Sequence, residues 1–330
     1  MLEHGGQLRA AAARYGIPLA GWMDLSTGIN PFPFTPPPVP LNAWSRLPEE
    51  QDGLEEAAAS YYGTQNILPV AGTQAAIQLL PRLRSPCRVG VPHPGYAEHA
   101  HAWRSARHAV KELCADEIAA QVGNLDVLVL MQPNNPTGGL FAGENLLHWH
   151  AVLSARGGWL IVDEAFIEAG TAQSMMQAAM PQGLIVLRSM GKFFGLAGAR
   201  AGFVAAHATL LASLRETLGP WCVAGPARYV TRTALLDLAW QQATKKRLRQ
   251  DGQRLAQLLR DADLPPTGGC GLFQWVQTGR AQIIHQQLAQ CGILTRYFAE
   301  PSSLRFGLPC CEADWLRLTA VLDQEITCTQ

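Results

Sequence analysis

One lysine in this chain stands where an amine nucleophile would be expected. Lys192 lies in Ser189-Met190-Gly191-Lys192-Phe193-Phe194-Gly195-Leu196-Ala197-Gly198-Ala199-Arg200, among small and aromatic residues rather than in a charged run. Apolar runs at 184–187 and 202–206 flank the segment, so the lysine falls at the mouth of a predicted strand. Such surroundings disfavour the ammonium and leave an amine free to condense with an aldehyde. Eight residues on, Arg200 offers a guanidinium fork of the geometry that holds a phosphate. An aldehyde-capturing amine with a phosphate-holding arginine fits pyridoxal phosphate (PLP).

Two further segments point the same way. Trp159-Leu160-Ile161-Val162-Asp163-Glu164-Ala165-Phe166 is a buried-strand pattern that ends on a carboxylate, and Asp163 could pair with a protonated pyridine nitrogen. Gln132-Pro133-Asn134-Asn135-Pro136-Thr137-Gly138 follows the strand run 127–130, and Asn135 could donate to the cofactor's phenolic oxygen. In this order the segments resemble the fold type I PLP enzymes of the aspartate aminotransferase superfamily. That resemblance implies that Gly72, Thr73 and Gln74, at a predicted helix start, grip the cofactor phosphate, with Ser189 and Arg200 completing the cup. Read alone, the same turn is an ordinary helix cap. It also makes Tyr96, in Pro92-His93-Pro94-Gly95-Tyr96, the ring stacked on the pyridine face. His93, His99 and His101 lack a carboxylate or cysteine partner at metal-site spacing, so no metal is expected.

The elements that must position these residues are legible as a pattern. Short apolar runs at 89–91, 127–130, 160–162, 185–187 and 203–205 alternate with helical stretches, which argues for an α/β layer with a mostly parallel sheet. Helices are expected over 7–15 and over 54–62, with Gly63 ending the second. A long helical stretch at 226–262 leads to a smaller α+β lobe with short strands at 272–276 and 304–306, and a turn at 268–273. Six prolines in residues 31–40 exclude regular structure and suggest an extended surface linker. The expected organisation is an N-terminal arm, 1–40, which the resemblance packs with the small domain; a large PLP-binding domain, 41–225; and a small domain, 226–330.

Composition narrows the partners. With 26 basic and 26 acidic residues the formal net charge is zero, which favours neither nucleic acid nor an anionic membrane surface. No apolar run approaches the roughly 20 residues of a membrane helix, and Glu3 and His4 do not suit a secretory signal. Eight scattered cysteines, with one vicinal pair, Cys310-Cys311, read as free thiols of a cytoplasmic protein.

The reaction depends on which bond at the substrate's α-carbon is held perpendicular to the ring. His4-Gly5-Gly6 and Asp24-Leu25-Ser26-Thr27-Gly28-Ile29-Asn30-Pro31 are rich in glycine and neutral donors, suited to a second anion such as a substrate phosphate. With Arg46-Leu47-Pro48 and Gly268-Gly269-Cys270-Gly271-Leu272-Phe273, they closely resemble the cobalamin-pathway L-threonine-O-3-phosphate decarboxylases, relatives of histidinol-phosphate aminotransferase. The resemblance covers essentially the whole chain and implies a PLP-dependent carboxy-lyase and a homodimer. Lys192 and Asp163 would be catalytic, Lys192 holding the cofactor and returning a proton to the α-carbon. His4, Gly5, Asn30, Arg296 and Arg305 would bind a phosphorylated amino acid; Arg305 could take either its carboxylate or its phosphate. Two positions depart from the aminotransferase pattern: Phe166 and Leu47 stand where many relatives carry tyrosines that reach the cofactor. An aminotransferase acting on histidinol phosphate is the alternative. A PLP-binding regulator is disfavoured, because nothing before residue 40 is basic or helix-turn-helix-like.

Overall fold

The computed structural model describes residues 4–325. They fall into two compact units, one made of Pro33–Asn135 and Leu140–Gln242, the other of the chain up to Phe32, Pro136–Gly139 and everything from Ala243 on.

The larger unit is built on seven strands, side by side in the order Ile67–Val70, Gly202–Ala206, Leu184–Ser189, Trp159–Asp163, Val127–Met131, Arg88–Pro92 and Ala109–Leu113. Only Gly202–Ala206 runs against its neighbours, so the expected mostly parallel sheet is observed. Its central strands are apolar except at their C-terminal ends, because both faces are covered. Val127 and Val129 join one core with Ile77 and Trp103, from the helices Thr73–Leu79 and Ala97–Ser105. Leu128 and Leu130 join another with Leu146, Trp149 and Leu153, from Gly143–Ser154. Alternate side chains of one strand thus feed two cores, as the two-residue period of a strand requires.

This topology positions the chemistry. Every parallel strand ends at the same edge of the sheet, so the loops after Val70, Pro92, Met131, Asp163 and Ser189 emerge together, the usual place for a ligand in an open α/β sheet. Because Gly202–Ala206 is reversed, the residues just before it, Arg200 among them, arrive at that same edge; Gly202 pairs with both Ser189 and Val70.

Each expected strand of the sheet is present, but Ala109–Leu113 was not anticipated. It is an edge strand with Lys111 and Glu112 exposed, so its apolar alternation is lost. The helix Leu54–Tyr62 ends as expected at Gly63, at φ 73°. The proline-rich segment has no regular structure, yet it is pinned: Phe34 is buried, its N–H donates to the Phe194 carbonyl at 2.9 Å, and its ring meets Trp240 edge-on at 5.4 Å.

The other unit has an antiparallel sheet in the order Arg296–Phe298, Ser303–Gly307, Phe273–Gln277 and Gly268–Cys270. Met23–Asp24 pairs in parallel with Ile293–Leu294. Where a turn was expected, Gly268–Cys270 is a strand, whose glycines carry no strand propensity but allow close approach. A Cβ on Gly268 would overlap the Thr137 carbonyl, and one on Gly138 the backbone of Gly269. The single long helix expected at 226–262 is two, Gly225–Leu236 and Leu238–Asp261. The break is at Asp237, whose carboxylate accepts from the Trp240 N–H at 2.9 Å and so starts the second helix.

Candidate active site

One cavity in the larger unit is walled by Gly72, Thr73, Gln74, Tyr96, Asn135, Asp163, Ser189, Lys192 and Arg200, together with Phe166. All nine residues expected to touch a cofactor are therefore brought together. At one end is an anion grip. Thr73 opens the helix Thr73–Leu79, leaving its first N–H groups unpaired within the helix. Gly72, at φ 74°, lets the chain turn there, and a Cβ in its place would lie 2.9 Å from Arg200 Nη2. The guanidinium thus lies over bare backbone. Arg200 holds a left-handed conformation, φ 51°, after the short turn Ala197–Ala199. The Ser189 hydroxyl oxygen accepts from the Gly191 N–H at 3.1 Å, fixing it beside that grip.

At the other end lies a buried carboxylate. Asp163 Oδ2 is 3.0 Å from His99 Nε2, and Oδ1 accepts from the Ala165 N–H at 3.1 Å. His99 is itself buried, on the inner face of Ala97–Ser105, with its ring edge-on to Tyr96 at 6.0 Å. An ionised carboxylate has no proton to share, so this contact needs the proton on Nε2. The sequence offers His99 only as a candidate metal ligand; the structure makes it the partner of Asp163. The available signal was a lone polar residue among Ala100, Ala102 and Trp103, one helical turn after Tyr96. His93 pairs instead with Glu112, at 2.9 Å.

Lys192 is half-buried, with Nζ 5.4 Å from the centre of the Phe166 ring. Its loop is locked by bonds from Gly195 N–H to Lys192 O and from Leu196 N–H to Met190 O, both 3.2 Å. Phe193 and Phe194 are fully buried against Trp240. Arg188, next to the cavity residue Ser189, is sealed between Glu164, at 3.0 Å, and Glu168, with the Tyr62 ring 4.6 Å away. Burial pushes the Glu164 carboxyl up against the pull of Arg188. These ions flank Ser189 and Asp163 in sequence, so the cluster ties together the ends of two strands that line the cavity.

The residues expected to bind substrate lie in the other unit. Arg305 is buried, with Nη2 donating to the Ser26 carbonyl at 2.8 Å. Ser26 Oγ accepts from the Gly6 N–H at 2.7 Å and donates to Asp24 at 2.6 Å, and Gly5 presses on Ser26 so closely that a Cβ would overlap its carbonyl. Asn30 is buried, with Oδ1 accepting from the Phe32 N–H at 2.9 Å. Arg296 is paired across the sheet from Arg305, so both side chains leave the same face. His4, Gly5 and Arg296 also border a cavity with Arg14 and His285; Asn30 and Arg305 are not among its walls.

These residues fit PLP on the structure's own terms. A cradle that a Cβ at position 72 would fill suits a phosphate, an amine faces the same cavity, and a carboxylate held by a histidine closes the far end.

Residues 46–327 match the family model for aminotransferase class I and II. The chain belongs to that family. A threonine-phosphate decarboxylase of Pseudomonas aeruginosa is 55% identical over 98% of this chain and 97% of its own length. Another, from a Sinorhizobium species, is 45% identical over 93% of each. The histidinol-phosphate aminotransferase of Sinorhizobium meliloti, solved in complex with pyridoxal-5'-phosphate, superposes with a TM-score of 0.82 over all of this chain and 96% of its own, at 21% identity. That likeness is one of fold.

Proposed function

We propose that the chain is a PLP-dependent decarboxylase that converts L-threonine O-3-phosphate into CO2 and (R)-1-amino-2-propanol O-2-phosphate, in cobalamin biosynthesis. The observation that carries the reading is 55% identity, end to end, with a threonine-phosphate decarboxylase. When bound, PLP supplies an aldehyde for amines and an electron-accepting ring.

The chain's residues do the rest. Thr73, Ser189 and Arg200 hold the cofactor phosphate, with Gly72 leaving it room and Gln74 beside it. Tyr96 covers one face of the ring, and Asn135 donates to its phenolic oxygen. Asp163, oriented by His99, would hold a proton at the ring nitrogen of a bound cofactor and so sustain its electron-accepting character. Lys192 Nζ would hold the cofactor between turnovers and carry the proton that replaces CO2 at the substrate α-carbon. Arg305 and Asn30, with His4, Gly5 and Arg296, orient the substrate's two anionic groups. The choice between decarboxylation and amino transfer would rest on how these residues orient the substrate's carboxylate.

The homodimer and the cytoplasmic location belong to the same proposal. Leu41, Trp44, Leu47 and Trp221 are exposed on the larger unit, which suits a covered apolar face. No helix among the described residues is long and apolar enough to cross a membrane.

A product assay tests the reaction. Holoenzyme given L-threonine phosphate should release CO2 and an aminopropanol phosphate, and Lys192→Ala should abolish both. Amino transfer to a keto acid without CO2 would sink the reading.

A further inference from the structure

Glu98 is outside the walls of the cofactor cavity, yet it bonds to Gln74, which is one of them. It stands in the first turn of Ala97–Ser105, where the helix N-terminus favours a negative charge. Its Oε2 accepts from Gln74 Nε2 at 2.6 Å and from Gln78 Nε2 at 3.3 Å. Gln74 follows Thr73 in the anion grip, and its other amide atom, Oε1, accepts from the Tyr96 hydroxyl at 3.4 Å.

The order of these bonds has a chemical reason. A carboxylate is acceptor-only, so it forces the NH2 of Gln74 toward itself. That leaves Oε1 facing away, as an acceptor for a phenol. Without Glu98 the amide could present either end to Tyr96. The 2.6 Å bond is a charge-assisted one and the strongest of the chain of contacts; the 3.4 Å bond to Tyr96 is weak unless the amide is held for it. Tyr96 is anchored independently at its backbone, where its N–H points at Met131 Sδ at 3.1 Å. Its hydroxyl end is therefore the part of the ring that Gln74 steadies.

We propose that Glu98 is a positioning residue for the cofactor: by fixing the Gln74 amide it couples the phosphate grip to the ring that covers the pyridine face. This rests on the PLP reading above. Retention of the cofactor then depends on a carboxylate that never touches it, while the bond-breaking step does not.

The test is PLP affinity of the full-length protein, measured by cofactor absorbance and by the circular dichroism induced in the bound cofactor. Wild type must bind PLP; if it does not, the cofactor reading fails before this one is reached. Glu98→Leu should raise the PLP dissociation constant about tenfold or more, the loss of one charge-assisted bond, and should lower the induced dichroism per bound cofactor. Its kcat at saturating PLP should stay within about twofold. Glu98→Gln can still accept from Gln74 but, carrying a donor as well, no longer fixes the amide, and should recover at most part of the affinity. If Glu98→Leu does not fold, Glu98→Ala removes the same bond without the apolar bulk. A folded Leu or Ala variant with wild-type affinity and dichroism would overturn the proposal. So would a Gln variant with wild-type affinity and dichroism, since an acceptor-only group would then not be needed to hold the amide.

Discussion

His99 and Asp163 form a buried pair, imidazole Nε2 to carboxylate Oδ2 at 3.0 Å, in which one residue of a helix sets the orientation of a group at a strand end. With Ala165 N–H on the other oxygen, the carboxylate is held at both ends. Replacing His99 by phenylalanine keeps the volume and removes the donor, leaving a buried carboxylate oxygen without its partner. The expected cost is about 1–3 kcal/mol of stability and a kcat lowered roughly tenfold as Asp163 loses its alignment. Urea unfolding and steady-state kinetics read the two effects. His99→Asn, which can still donate, should recover part of both; a phenylalanine variant as active and stable as wild type would refute the role.

Arg188 is expected to matter to stability more than to chemistry. Its buried guanidinium is shared between Glu164 and Glu168, and Ser174 Oγ donates to Glu164 at 2.6 Å. Arg188→Met would strand two buried carboxylates, at a cost of about 3–5 kcal/mol. The triple variant with Glu164→Gln and Glu168→Gln should recover much of that loss in denaturant midpoint. Recovery fails if the ion pairs are incidental.

Phe166 offers a reading of the cofactor's electronic setting. Its buried ring lines the cavity 5.4 Å from Lys192 Nζ, with no hydroxyl to offer. Phe166→Tyr would add a donor on the cofactor's phenolic side, where Asn135 is proposed to act. A pH titration of the bound-cofactor absorbance should then show its midpoint moved downward. An unchanged or raised midpoint would count against a donor-poor site.

One surface carboxylate predicts an acid response. The Arg104 hydrogen bond, helped by the charges of Arg104 and His93, holds Glu112 below the usual carboxylate range. A depressed carboxylate stabilises the fold above its ordinary range and loses that contribution as the pH falls through its lowered value. Glu112→Gln should therefore lower Tm slightly at pH 7, on the order of 2 °C or less for so exposed a pair. The gap between variant and wild type should close as the pH drops below about 4. A gap that widens in acid would reverse the sign.

How far these features could be read without coordinates depended on whether a residue's partner was near it in sequence. Lys192 and Arg200 share a loop, and Asp163 and Asn135 each end an apolar run, so their places followed from pattern alone. His99 did not, because its partner is 64 residues away and the pattern shows only a polar residue on an apolar helix face. Glu98 is hidden similarly, 24 residues from Gln74. The strand at Gly268–Cys270 was missed because its glycines are selected by close backbone approach, which has no propensity signal. At Asp237 a single carboxylate cap outweighed a continuous helical composition.

The reversed strand Gly202–Ala206 has one more consequence. It makes the segment between Ser189 and Gly202 a clasp, whose two feet are paired to each other in the sheet. The clasp carries both the amine that would tether a cofactor and the guanidinium that would hold its phosphate. Tether and anchor therefore share one frame of fixed length. A residue inserted between Lys192 and Arg200 would have to bulge, changing the spacing of two attachment points on the same small molecule. With Lys192 and Arg200 in those proposed roles, the length of this loop would act as a gauge for the span between an aldehyde carbon and a phosphate.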